Sequence, residues 1–149
     1  MNRFLFQRTF ALFLAFASVL ALATPARAAE RRYLSRGTAQ FVSPTDFVGT
    51  GIATHLGLYD EAGSVQFSPT ADPTVLHLDA ESTYTAANGD HLYAVITGQL
   101  NGVTGAITAT VTYVGGTGRF ADASGTATLS GQLLPGGSIE VTVKGTIDY

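Results

Sequence analysis

The chain has 149 residues, of which 46% are hydrophobic and 13% charged, with a net charge of −3 and no cysteine. The missing thiols exclude disulfides and thiolate metal sites. An acidic, lightly charged chain does not attract phosphate backbones, so nucleic acid is not an expected partner.

The first 28 residues read as a signal peptide. Arg3 and Arg8 form a positive start, residues 9–23 are almost wholly apolar, and Ala26-Arg27-Ala28 is a small-x-small cleavage site. A membrane anchor would need about 20 apolar residues. Cleavage after Ala28 and export to the periplasm or the outside of the cell are therefore expected. Residues 29–149 then form a single domain with five basic and eleven acidic residues, a net charge of −6. Once the leader is removed, a membrane is not an expected partner.

The dominant period in this domain is two. Ile107, Ala109, Val111 and Tyr113 alternate with threonines, and Ile139, Val141, Val143, Gly145 and Ile147 alternate with polar residues, the pattern of half-buried strands. In chain order the pattern predicts eight strands over residues 33–42, 50–59, 63–68, 74–87, 91–100, 103–114, 125–134 and 138–149. Irregular backbone is expected at 43–47 and 68–73. Turn signals separate the strands: Asp60-Glu61-Ala62-Gly63, Asn88-Gly89-Asp90, Asn101-Gly102, the glycines at 115–118, and Pro135-Gly136-Gly137. Gly98, Gly105, Gly131 and Gly145 fall inside predicted strands, where glycine marks a bend or a close approach. Repeated in successive strands, they suit a sheet that curls and closes. The expected fold class is all-β, an eight-stranded antiparallel barrel preceded by a signal peptide, with a two-sheet sandwich as the alternative.

Gly116-Thr117-Gly118-Arg119-Phe120-Ala121-Asp122-Ala123-Ser124-Gly125 resembles the G-T-G-x-F-x-x-A-x-G motif of dirigent proteins and the related allene oxide cyclase barrel. Ala53-Thr54-His55-Leu56-Gly57 and Thr85-Ala86-Ala87-Asn88-Gly89-Asp90 are similar to segments of exported bacterial proteins of that barrel type. The resemblance implies a calycin-like barrel with an interior cavity, a small apolar ligand and assembly as a homo-oligomer. It transfers no catalytic set, because the acidic, tyrosine or arginine groups inside the plant barrels match no motif here.

The glycine turn itself reads as structural. It lacks the spacing and the following helix of a phosphate cradle. Gly115, Gly116, Gly118 and Gly125 supply turn geometry, Phe120 is expected over a barrel end, and Arg119 is expected on nearby carbonyls or an acid. His55, His77 and His91 are scattered and form no metal motif, and no cofactor is implied. The candidate ligand-binding groups are His55 and Tyr59 on one face of the second strand, His77, Asp79 and Glu81 on one face of the fourth, and Tyr84. Either face could point into the barrel or into solvent. For His77, Asp79 and Glu81 the exterior is favoured, because the alternating Leu76, Leu78 and Ala80 make the better core.

The reading is an exported soluble module that binds a small ligand or serves a structural role, rather than an enzyme. The alternative is a cofactor-free cyclase or isomerase using the cavity. The terminal Ile147-Asp148-Tyr149 keeps a small outer-membrane barrel as a further alternative.

Overall fold

The computed structural model describes residues 30–149, so the leader expected at 1–28 lies outside the described residues. Eight strands, β1 (Arg31–Phe41), β2 (Asp46–Ala53), β3 (Gly57–Pro69), β4 (Val75–Ala86), β5 (His91–Asn101), β6 (Ala106–Gly116), β7 (Ser124–Leu133) and β8 (Ser138–Ile147), follow one another around a closed barrel. Every neighbouring pair is antiparallel, and β1 pairs with β8 from Arg31↔Ile147 to Gln40↔Ser138. Closure removes the unpaired edges that a sandwich of the same strands would leave.

The alternation seen in the sequence is the inside–outside alternation of the wall. Ala109, Val111 and Tyr113 of β6 are buried, while Thr108, Thr110 and Thr112 between them face solvent. Strand-interior glycines sit where the wall crowds: a Cβ at Gly98 or Gly145 would overlap Ala109 or Ala127 on the neighbouring strand. Gly105, expected inside a strand, lies instead in the turn before β6, with φ +76°.

The second and third strands differ most from expectation. Asp60-Glu61-Ala62-Gly63 is not a turn but the middle of β3, paired with β2 on one side (Thr50↔Asp60, Phe47↔Gly63) and β4 on the other (Asp60↔Thr85, Gly63↔Ser82). The reversal comes earlier, at Thr54, His55 and Leu56, where Gly57 supplies φ +72°. Gly63 has no turn role, since a Cβ there would lie 2.5 Å from the Phe47 ring. Asp46 and Phe47, expected in a loop, open β2, and Ser68 and Pro69 still pair with His77 and Leu76.

The two ends of the barrel are built differently. At one end Phe120 enters from a single 3-10 turn (Gly118–Phe120), is fully buried as part of the core that includes Leu56, Leu92, Ala123 and Ile147, and lies with its ring 4.9 Å from that of Tyr149. Arg119 lies over the Phe120 ring at 4.8 Å and donates from Nη2 to the His55 carbonyl at 2.6 Å, and its Nε lies 3.9 Å from Asp90. This end is plugged. At the other end Phe41, Phe47 and Phe67 ring the interior without filling it, and Phe67 is partly exposed.

Candidate functional site

Inside the open half lies a cavity of about 80 Å³, lined by Ala, Val, Leu, Ile and Phe side chains and by Tyr59, Glu61 and Tyr84. Space for the polar groups is made by glycines on the facing strands. A Cβ at Gly51 or Gly37 would stand 2.5 or 2.7 Å from the Tyr59 hydroxyl, and one at Gly49 would stand 3.2 Å from Glu61 Oε2. At Gly37 and Gly51 the backbone thus approaches the Tyr59 side chain more closely than a residue with a Cβ permits, and at Gly49 a Cβ would crowd the Glu61 carboxyl.

Glu61 is only 9% exposed. Ser82 on β4 donates to its Oε1 at 2.5 Å, and the Tyr84 hydroxyl lies beside the same carboxyl. Burial pushes the Glu61 carboxyl above the usual carboxylate range, and the bonds from Ser82 and Tyr84 offset only part of that. None of the groups acting on it is a cation.

Behind Glu61, toward the plugged end, is a cluster of hydroxyls. Tyr59 and Ser35 share a hydrogen bond of 2.9 Å, and Tyr59 meets Tyr84 edge-on with ring centroids 5.4 Å apart. Tyr33 and Tyr113 pack with centroids 5.0 Å apart. The Tyr33 hydroxyl is buried without a hydrogen-bond partner. Its neighbours Ser35 and Tyr113 are close enough to act on its ionisation but not placed to bond it well. Burial raises all four phenols above the ordinary tyrosine value.

The residues singled out in the sequence divide into three groups. Tyr59 and Tyr84 line the cavity. His55 does not; it lies in the β2–β3 turn at the plugged end, where Nε2 donates to the Arg32 carbonyl at 2.9 Å and Nδ1 accepts from the Tyr149 hydroxyl at 3.0 Å. It ties the two ends of the described chain together. His77, Asp79 and Glu81 point outward from β4. There His77 contacts Asp79 at 3.1 Å and Thr97 donates to Asp79 at 3.1 Å, all in solvent. They cannot serve as interior ligand groups, because their alternates Leu78 and Ala80 occupy the inside. Among the described residues, no group of three His, Cys, Asp or Glu is arranged to hold a metal ion.

Glu61 and Ser82 went unnoticed in the sequence, although the signal was there. Glu61 is two residues after Tyr59 and shares its face, but the supposed turn at 60–63 hid it. Ser82 continues the even-numbered face of Leu78, Ala80 and Tyr84.

A broader saddle of about 650 Å³ crosses the outer wall between Arg36, Ser130, Gln132 and Glu140. It is open to solvent, and the side chains named here are exposed or only half-buried. The buried polar groups converge in the barrel interior instead, where water is excluded and electrostatic interactions are stronger.

No family model matches the chain, and no match was found among the curated proteins.

Proposed function

We propose that this protein is an exported, soluble, calycin-like barrel related to the allene oxide cyclase and dirigent proteins, and that it binds a small apolar ligand through its open end. The observation that carries the reading is the pairing of an apolar, one-ended cavity with the buried carboxyl of Glu61 toward its inner end. Ligand sites are typically built this way, mostly apolar with a few placed polar groups. Export rests on the leader-like residues 1–28. Solubility is supported by the outer wall, where Arg36, Asp60, Asp79, Glu81, Glu140 and Lys144 face outward on β1, β3, β4 and β8. A cation on a lipid-facing strand would cost about 2–4 kcal/mol at the bilayer midplane.

The test is methyl NMR of the processed chain titrated with n-pentane. Saturable shifts at Val65, Leu78, Ile96 and Val143 support the reading. Unchanged methyl signals up to the solubility limit would remove it.

Convergence of Glu61 with Tyr59 and Tyr84 favours a second reading, a cofactor-free isomerase or cyclase in which the carboxyl gives and retakes one proton. Such a catalyst would exchange α-hydrogens of a bound ketone for deuterium in D2O, and Glu61→Gln would lose that exchange. No exchange above the buffer rate leaves the binding module alone.

A further inference from the structure

We propose that the cavity selects a neutral, slender small molecule carrying one hydrogen-bond-accepting oxygen, such as a ketone, ester or ether, which enters oxygen-first and accepts a hydrogen bond from Glu61. This rests on the ligand-binding reading above and specifies the chemical class that the site takes.

Three features lead to it. The first is the way the carboxyl is held. A carboxyl group offers about four acceptor positions, or an O–H and the remaining acceptors when protonated. Ser82 bonds Oε1, and Tyr84 stands beside the group. Ser82 donates and so occupies an acceptor position, and Tyr84 donating to the group would occupy another. What is left to meet a ligand is the O–H, on a residue that also lines the cavity.

The second feature is charge. Among the described residues the buried polar or charged side chains besides the tyrosines are Ser35, Glu61 and Ser82. The interior therefore holds no lysine, arginine or histidine to balance an anion. A ligand carboxylate would have to give up its hydration with no cation to receive it, at a cost far above that of a neutral head. Burial acts on Glu61 in the same direction by favouring its neutral form. The other titratable groups facing it are phenols, Tyr59 and Tyr84, which burial also holds neutral.

The third feature is size. About 80 Å³ is several times the space one water needs, but about half of a cavity that admits benzene. The enclosed part of the ligand is limited to a few heavy atoms. The carboxyl lies toward the inner end and the Phe41, Phe47 and Phe67 rings are at the mouth, so the polar atom goes in first and any longer apolar tail leaves between the rings.

The experiment is a methyl-NMR titration of the processed chain at pH 6 with butan-2-one, n-pentane, butyrate and butylammonium, repeated on Glu61→Gln and Glu61→Leu. Glutamine keeps a donor in place and controls for folding; thermal melts of both variants are recorded alongside. Butan-2-one is expected to bind at least tenfold more tightly than butyrate or butylammonium. Its preference over pentane should persist in Glu61→Gln and fall about tenfold in Glu61→Leu, the loss of one hydrogen bond. Tighter binding of butylammonium would mean an anionic Glu61 and overturn the proposal. Equal loss of preference in both variants would also overturn it, since the effect would not follow the donor. If pentane binds and the four ligands show no head-group preference, the cavity reading stands and this one fails. If nothing binds, both fail.

Discussion

At the level of single residues, Glu61 is a carboxyl held in a buried setting far from its ordinary one. Its folded pKa is raised, so the folded state holds its proton more tightly than the unfolded chain does. The resulting stability is complete below the ordinary value of 4.5 and is lost as pH rises through the folded value. Glu61→Gln keeps the shape and removes the titration. The variant should be more stable than the parent at pH 7, by about 1–3 kcal/mol, and the difference should shrink toward pH 4. Paired thermal melts across that range check the sign. Asp72 and Asp90 act oppositely: bonds from Thr74 and Asn88 lower their pKa values, so their contribution is lost as pH falls. The difference between parent and variant cancels them. The four buried phenols give a second test. Their raised values mean that stability declines as pH climbs past about 10, because the unfolded chain ionises first. Phenolate absorbance from Tyr33, Tyr59, Tyr84 and Tyr113 should appear together with the loss of strand circular dichroism. Its appearance while the barrel is still folded would contradict the burial described. Tyr84 shares the even-numbered face of Leu78 and Ala80 and its inward orientation follows from theirs, but the orientation of Tyr59 was not legible, since a period of two fixes which residues share a face and not which face is inside.

At the level of the strands, the alternation made β4 to β8 legible to within a few residues, because apolar and polar positions separate cleanly there. β2 and β3 were harder to place. Their inward positions include Phe47, Gly49, Gly51, Tyr59, Glu61 and Gly63, a mixture with no apolar signature. The cause is mutual: large side chains on β3 need absent ones on β2 and β1. Gly51→Ala should therefore be destabilising although its backbone is unexceptional. The new methyl would sit 2.5 Å from both the Arg36 carbonyl and the Tyr59 hydroxyl, and the expected cost is about 1–3 kcal/mol by urea denaturation. Gly51→Ala combined with Tyr59→Phe should recover only part of that loss, since it removes the hydroxyl but leaves the Arg36 carbonyl and the ring Cζ, 2.6 Å from the new methyl. The plugged end offers a contrasting case. Phe120 is fully buried, and Phe120→Ala should cost about 3–5 kcal/mol while leaving pentane binding at the far end of the barrel unchanged in the folded fraction.

For the molecule as a whole, the β1–β8 ladder is the seam of the barrel. Arg31 pairs with Ile147, and Arg31 also lies over the Tyr149 ring at 4.5 Å, so the two ends of the described chain are neighbours. Joining residue 30 to residue 149 by a short flexible linker and opening the chain between Gly136 and Gly137, where both glycines are exposed or partly so, should give a permutant with the parental fold and a similar melting temperature. A molten spectrum from this permutant would show that the seam needs its present order of synthesis. The same ladder sets a timetable. Each of the other seven strand pairs joins consecutive strands and can zip soon after its second strand emerges. The eighth pair links positions about a hundred residues apart, from Arg31↔Ile147 to Gln40↔Ser138, and must wait for the last strand, with the loop-closure entropy that such a separation carries. A sheet paired only through the other seven ladders would be an open ribbon with two bare rims. The time from release of the full chain to closure is thus the interval in which the protein is most exposed to self-association, and it is governed by how quickly β8 finds β1 rather than by any local turn.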